Sequence, residues 1–148
     1  MYDRILLPTD GSETTDRALA HAADLADRYG ADLHLLYVID VTVFADDVET
    51  AGIVSEFETM GDRIVGRVAA EAREAGVEPA ATAVVRGTPH RTILEYVDEE
   101  GIDLVVMGTH GRTGLDRYLL GSVTEKVVRL SDVPVLTVRG PGADGDER

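Results

Sequence analysis

Short apolar runs alternate with longer segments of helical period along the chain from its first residues to about residue 139. No other feature narrows the fold as far, because strand-then-helix alternation within one domain builds a mainly parallel sheet covered by its own crossover helices. Arg4 to Pro8 reads as the first strand. A helix follows from Glu13 to Tyr29, with Ala18, Leu19, Ala22, Leu25 and Ala26 on one stripe and Gly30 placed to end it. Leu33 to Ile39 reads as the second strand, and the mixed stretch from Asp40 to Gly52 as a loop. Ile53, Phe57, Met60, Ile64 and Val68 recur at spacings of three and four, which predicts a second helix closed by Gly76.

Ala81 to Val85 is the third strand, and Thr88-Pro89 opens a third helix that Gly101 ends. Ile102 to Met107 has the unbroken hydrophobicity of a strand buried on both faces, and it runs straight into Gly108. Ser122 to Leu130 reads as a fourth helix. The fifth strand runs from Val133 to Arg139, and Pro134, which cannot donate to a ladder, favours the sheet edge. An edge invites pairing with another chain. Residues 140–148 read as a disordered acidic tail, leaving residues 1–139 as one domain.

Composition excludes several classes of function. With no cysteine, disulfides and thiolate metal sites are impossible, and a reducing cytoplasm is the expected setting. No run approaches the roughly 20 apolar residues of a membrane span. A net charge of -14 argues against nucleic acid and anionic membranes as partners. Lys126 is the single lysine among 14 basic residues facing 28 acidic ones, a balance expected of a halophilic protein; an unfolding midpoint that falls as KCl rises would contradict that expectation.

Against this acidic background, GTHGRTGLDRYLLGS from Gly108 to Ser122 stands out. Arg112, Arg117, Lys126 and Arg129 outnumber Asp116 and Glu125, so residues 108–129 carry +2. The glycines match neither a Walker loop, which needs a lysine after its last glycine, nor the dinucleotide pattern, which belongs after a first strand. Glycine still lets backbone approach an anion, and a helix beginning at Gly121-Ser122 offers unpaired N–H groups. Ser122-Val-Thr-Glu125 is equally a capping box that satisfies those groups internally. Spacing alone leaves phosphate cradle and plain connector both open.

The pattern Gly108-x2-Gly111-x9-Gly121-Ser122 resembles the nucleotide-binding signature of the universal stress protein family. Ile5-Leu6-Leu7-Pro8-Thr9-Asp10-Gly11-Ser12 is similar to that family's first strand and turn, and Val133-Pro134-Val135-Leu136-Thr137-Val138 to its last strand. The resemblance implies a Rossmann-like three-layer α/β domain, a five-stranded parallel sheet in the order 3-2-1-4-5 with helices on both faces. It also implies ATP, or AMP or ADP, held with Mg²⁺ at the switch point between strands 1 and 4. By resemblance Gly108, Gly111, Gly121 and Ser122 hold phosphates with the N–H groups of Val123 and Thr124, while His110 and Arg112 lie in the loop. Asp10 meets the ribose or a metal ion, Pro8, Thr9 and Met107 line the turn and strand end, and the Val38 backbone recognises adenine. Asp10-x-x-Glu13 fits a capping box as well.

His21, His34 and His90 show no metal-binding spacing and read as structural or surface residues. No catalytic constellation for phosphoryl transfer is visible. The resemblance therefore implies a nucleotide-dependent regulatory module in stress response, forming a homodimer through the fifth strand. Its rivals are a chaperone-like dimer that ignores nucleotide, and a slow ATP hydrolase or autophosphorylating protein.

Overall fold

The computed structural model describes residues 1–44, 50–109 and 120–139. Strands β1 (Arg4–Pro8), β2 (Asp32–Asp40), β3 (Ala81–Gly87), β4 (Leu104–Gly108) and β5 (Val135–Val138) alternate with helices α1 (Glu13–Tyr29), α2 (Thr50–Glu74), α3 (Pro89–Glu100) and α4 (Ser122–Leu130). All neighbouring strands pair in parallel, in the order β3-β2-β1-β4-β5. Ile5 on the central strand lies opposite Leu33 on one side and Leu104 on the other.

Strand alternation divides the apolar residues between two layers. Ile5, Leu7, Leu33, Leu35 and Val106 pack with Ala18, Ala22 and Val68 against α1 and α2. Leu6, Leu36, Val105 and Met107 pack with Ile93, Val97 and Val127 against α3 and α4. Complete burial of each such Leu, Ile or Val stabilises the fold by about 1.5–3 kcal/mol. His34 lies in this second layer, nearly enclosed, with Nδ1 2.8 Å from the Tyr96 hydroxyl of α3. Desolvation there lowers its pKa, outweighing the acidic neighbours Glu100 and Asp32.

Helix α1 ends as its sequence predicts. Gly30 adopts the left-handed conformation (φ 63) and donates to the carbonyls of Ala26 and Asp27. Other boundaries shift. Part of the expected loop after β2 is a 3₁₀ helix at Val41–Phe44, begun where the Asp40 carboxylate accepts the Thr42 N–H at 3.0 Å, and α2 starts at Thr50 instead of Ile53. Strand β4 begins two residues later than expected, at Leu104. Strand β5 is shorter than its apolar run and occupies the sheet edge, with the Pro134 carbonyl accepting the Val105 N–H at 3.0 Å. Proline needs no donor for that bond. The expected tail at 140–148 lies outside the described residues. Among the described residues no helix is long and apolar enough to cross a membrane.

Candidate functional site

Neighbouring strands β1 and β4 send their chains to opposite faces of the sheet, β1 to α1 in the first apolar layer and β4 to α4 in the second. Connections that diverge this way open a crevice at the C-terminal ends of the strands. A cavity of about 480 Å³ occupies that position. Ten of the thirteen site residues expected from the sequence line it: Pro8, Thr9, Asp10, Val38, Met107, Gly108, Gly121, Ser122, Val123 and Thr124. His110, Gly111 and Arg112 lie outside the described residues.

The β1-to-α1 turn is organised by its own side chains. Thr9 Oγ1 accepts the Gly11 N–H at 3.1 Å, and Gly11 takes a left-handed φ of 81 that a side chain would strain. Asp10 Oδ1 accepts the Ser12 N–H at 2.9 Å and the Thr15 hydroxyl at 3.2 Å. From α2, Arg67 donates to the Gly11 carbonyl at 3.1 Å. The N-cap of α1 is Ser12, so the alternative that made Asp10 the cap is not what forms. Ser12 makes no capping bond either, and its Oγ is buried with no hydrogen-bond partner among the described residues.

The β4-to-α4 connection is fixed at its two ends by backbone. Thr109 donates to the Val138 carbonyl at 2.9 Å and accepts the Gly121 N–H at 2.7 Å. The buried Thr124 hydroxyl donates to the Gly108 carbonyl at 2.8 Å, tying the first turn of α4 to the end of β4. Gly121 is the N-cap, which places Ser122 at the first helical position. The expected Ser122–Glu125 capping box does not form, because Ser122 is one residue too late to cap. Glu125 instead bonds Arg129 at 2.9 Å, and that hydrogen bond holds its carboxyl below the usual range. The N–H groups of Ser122, Val123 and Thr124 therefore begin a helix with no preceding carbonyls to receive them, and these residues line the cavity. Such a terminus favours an anion.

A third set of groups comes from β2. The Thr9 N–H bonds the Leu36 carbonyl at 2.8 Å, the last link before β1 turns away, while β2 continues to Asp40 paired with β3. Peptide groups two residues apart on a strand point the same way, so Val38 turns its N–H and C=O to the side that Leu36 uses, where β1 no longer runs. One donor and one acceptor, side by side on backbone, suit the edge of a flat heterocycle. Leu36, Ile93, Pro89 and Met107 supply apolar walls.

Sequence reasoning missed four lining residues, Thr15, Leu36, Pro89 and Ile93. Leu36 and Ile93 are fully or almost fully buried, and in sequence they carry the same apolar signal as any core position. Pro89 was recognisable only as a helix start. Thr15 had a usable signal: a hydroxyl one helical turn after an acidic turn can reach back to that carboxylate. Among the described residues no group of three His, Cys, Asp or Glu side chains converges on a metal position.

The family model described as the universal stress protein family matches residues 1–139. Universal stress protein MJ0531 of Methanocaldococcus jannaschii is 37% identical over 144 residues, covering 95% of this chain and 84% of its own. Universal stress protein MJ0577 of the same organism is 34% identical over 156 residues, spanning 94% of this chain and 96% of its own. The solved structure of MJ0577 superposes with a TM-score of 0.84. A universal stress protein solved in complex with cAMP is 28% identical, with a TM-score of 0.68 over 93% of this chain and 97% of that one.

Proposed function

The chain belongs to the universal stress protein family, and from that premise we propose that its crevice binds an adenine nucleotide, ATP in particular, as the input of a regulatory module rather than as the substrate of an efficient enzyme. The observation that carries this reading is the meeting, in one cavity, of the Asp10 turn and the N-terminal amides of α4, which find no acceptor among the described residues. Adenine lies between the apolar walls with its edge on Val38, the ribose hydroxyls donate to Asp10, and the phosphates meet Gly108, Gly121 and the N–H groups of Ser122 to Thr124. The residue types fit each part of the ligand, and the likeness to a protein solved with cAMP supports the adenosine end. His110, Gly111 and Arg112 are assigned to the phosphate loop from sequence alone.

Mg²⁺ enters this reading only with the phosphates. It keeps most of its water and typically needs one or two carboxylates, and Asp10 is the described carboxylate at the cavity. A calorimetric titration in Mg²⁺ and high salt tests the proposal. Saturable ATP binding at one site per chain supports it, and no heat at millimolar nucleotide overturns it.

The output we propose is self-association through the fifth strand, at residues 133–139. Leu136 on β5 and Val128 and Leu130 at the end of α4 are exposed apolar residues, and β5 is an edge strand of the sheet among the described residues. The bonds from Thr109 to Val138 and Gly121 join that edge to the α4 cap. Nucleotide held at the cap is thereby linked to the strand that pairs. Light scattering with and without ATP tests this; a single-chain mass in both conditions contradicts it. The acidic, lysine-poor composition supports a setting of high salt for this module, and the lack of cysteine supports a cytoplasmic one.

A further inference from the structure

We propose that His34 and Tyr96 position the apolar wall of the crevice, and that a proton on His34 weakens nucleotide binding by releasing that wall. This rests on the nucleotide reading given above. His34 of β2 and Tyr96 of α3 meet across the second apolar layer, with Nδ1 2.8 Å from the hydroxyl and the two rings edge to face at 5.7 Å. Each is a near neighbour of a wall residue on its own element. Leu36 follows His34 by two positions on the same face of β2, and Ile93 precedes Tyr96 by three on the same side of α3. The pair thus joins β2 to α3 at the base of the wall that takes the adenine.

A neutral imidazole carries one donor and one acceptor, and a hydroxyl can match either, so the pair is satisfied as it stands. A proton changes the balance. His34 is 7% exposed, and the residues opposite it in the sheet, Leu6 of β1 and Ala81 of β3, bring no charge. The charged groups that reach it are Glu100 of α3 and Asp32 of β2, which favour the proton, and Arg4 of β1, which opposes it; burial outweighs both carboxylates. Tyr96 stays neutral, because burial and then Glu100 push its pKa up.

The cost of a buried imidazolium falls as α3 and β2 part and admit water. A base seated against Leu36 and Ile93 acts the other way, holding the two elements together and shielding His34 further. Proton and nucleotide therefore favour opposite states of one contact, and linkage requires each to weaken the other by the same factor.

The test compares wild type with His34→Gln, whose amide can still bond Tyr96 but takes no proton. From neutral pH to about pH 5.5, calorimetry on the full chain should show the wild type losing about five-fold more ATP affinity than the variant, the low end of coupling between two sites. Taking the ratio cancels the titration of the phosphates, His90 and His110, which both proteins share. Equal losses in the two proteins overturn the proposal.

A second measurement needs no variant to bind or fold. The imidazole C–H signals of wild-type His34, followed by NMR through a pH titration, should titrate at lower pH with saturating ATP than without it. A midpoint that ATP leaves in place, with binding at neutral pH intact, overturns this inference alone. Absence of ATP binding at neutral pH overturns the nucleotide reading, and this inference with it.

Discussion

The two connections that meet at the crevice solve one problem in opposite ways. The β1-to-α1 turn is short and presents a side chain, Asp10, held by Ser12 and Thr15 with Arg67 gripping the adjacent Gly11 carbonyl. The β4-to-α4 connection is longer and presents backbone N–H groups, with Thr109, Gly121 and Thr124 pinning its ends. A recognition group made of side chain is lost by substituting it. Backbone amides survive substitution, and only obstruction or loosening of their frame removes them. The two ends of the site should therefore respond differently to the same kind of change.

Obstruction at the α4 end gives the largest effect. Gly121 is buried at the cavity with φ -64 and ψ 159, a conformation open to any residue. Gly121→Val should therefore fold, at a cost of about 1–2 kcal/mol for the poorer cap and the filled buried position, yet lose ATP affinity by about 100-fold through obstruction of the amides. A valine variant that binds ATP like the wild type would break the comparison, because the amides would then not be the contact.

Loosening the frame is the next test. Thr124→Val removes the donor to the Gly108 carbonyl and should lower stability by about 1–2 kcal/mol in chemical unfolding. ATP affinity should drop several-fold through the misplaced first turn of α4. Stability lost with affinity intact would mean that Thr124 serves only the fold.

His34 provides a control remote from both ends. Burial lowers its pKa, so the folded protein binds that proton less readily than the unfolded chain does. Its contribution to stability is full above the unfolded value near 6.5 and is lost as pH falls below that toward the folded value. Unfolding titrations between neutral and mildly acid pH should show this loss, and His34→Gln should reduce it while leaving ATP affinity at neutral pH unchanged. An affinity change at neutral pH would extend the site down β2 to the middle of the sheet.

The smallest effect belongs to Arg67, whose guanidinium is exposed and shared among Gly11, Asp16 and Glu71. Arg67→Met should cost no more than about 1 kcal/mol of stability. It should weaken ATP by less than Thr124→Val does, since the turn keeps its internal bonds. A larger loss of affinity would show that the turn depends on its neighbour more than on itself.

Much of this architecture was legible in the residues. The bounds of β1, α1 and α4 follow from apolar period and from stops such as Gly30, and the strand order follows from family resemblance. Less legible was anything decided between side chain and backbone at an element's end. Asp40 turns its carboxylate onto the Thr42 N–H, which starts a 3₁₀ helix where mixed polarity suggested only a loop. Ser12 and Gly121, rather than Asp10 and Ser122, take the cap positions, and Glu125 finds Arg129. The apolar walls were hidden for a different reason: Leu36 and Ile93 face a cavity, but burial against a cavity and burial in a core leave the same trace in sequence.

The central claim is that one nucleotide engages both connections at once. Amide correlation spectra recorded through an ATP titration test it most directly. The account predicts that signals from Thr9 to Thr15, from Val38, and from Gly121 to Thr124 move together and fit a single dissociation constant. Shifts confined to one connection, or two separate constants for the two ends, would contradict it.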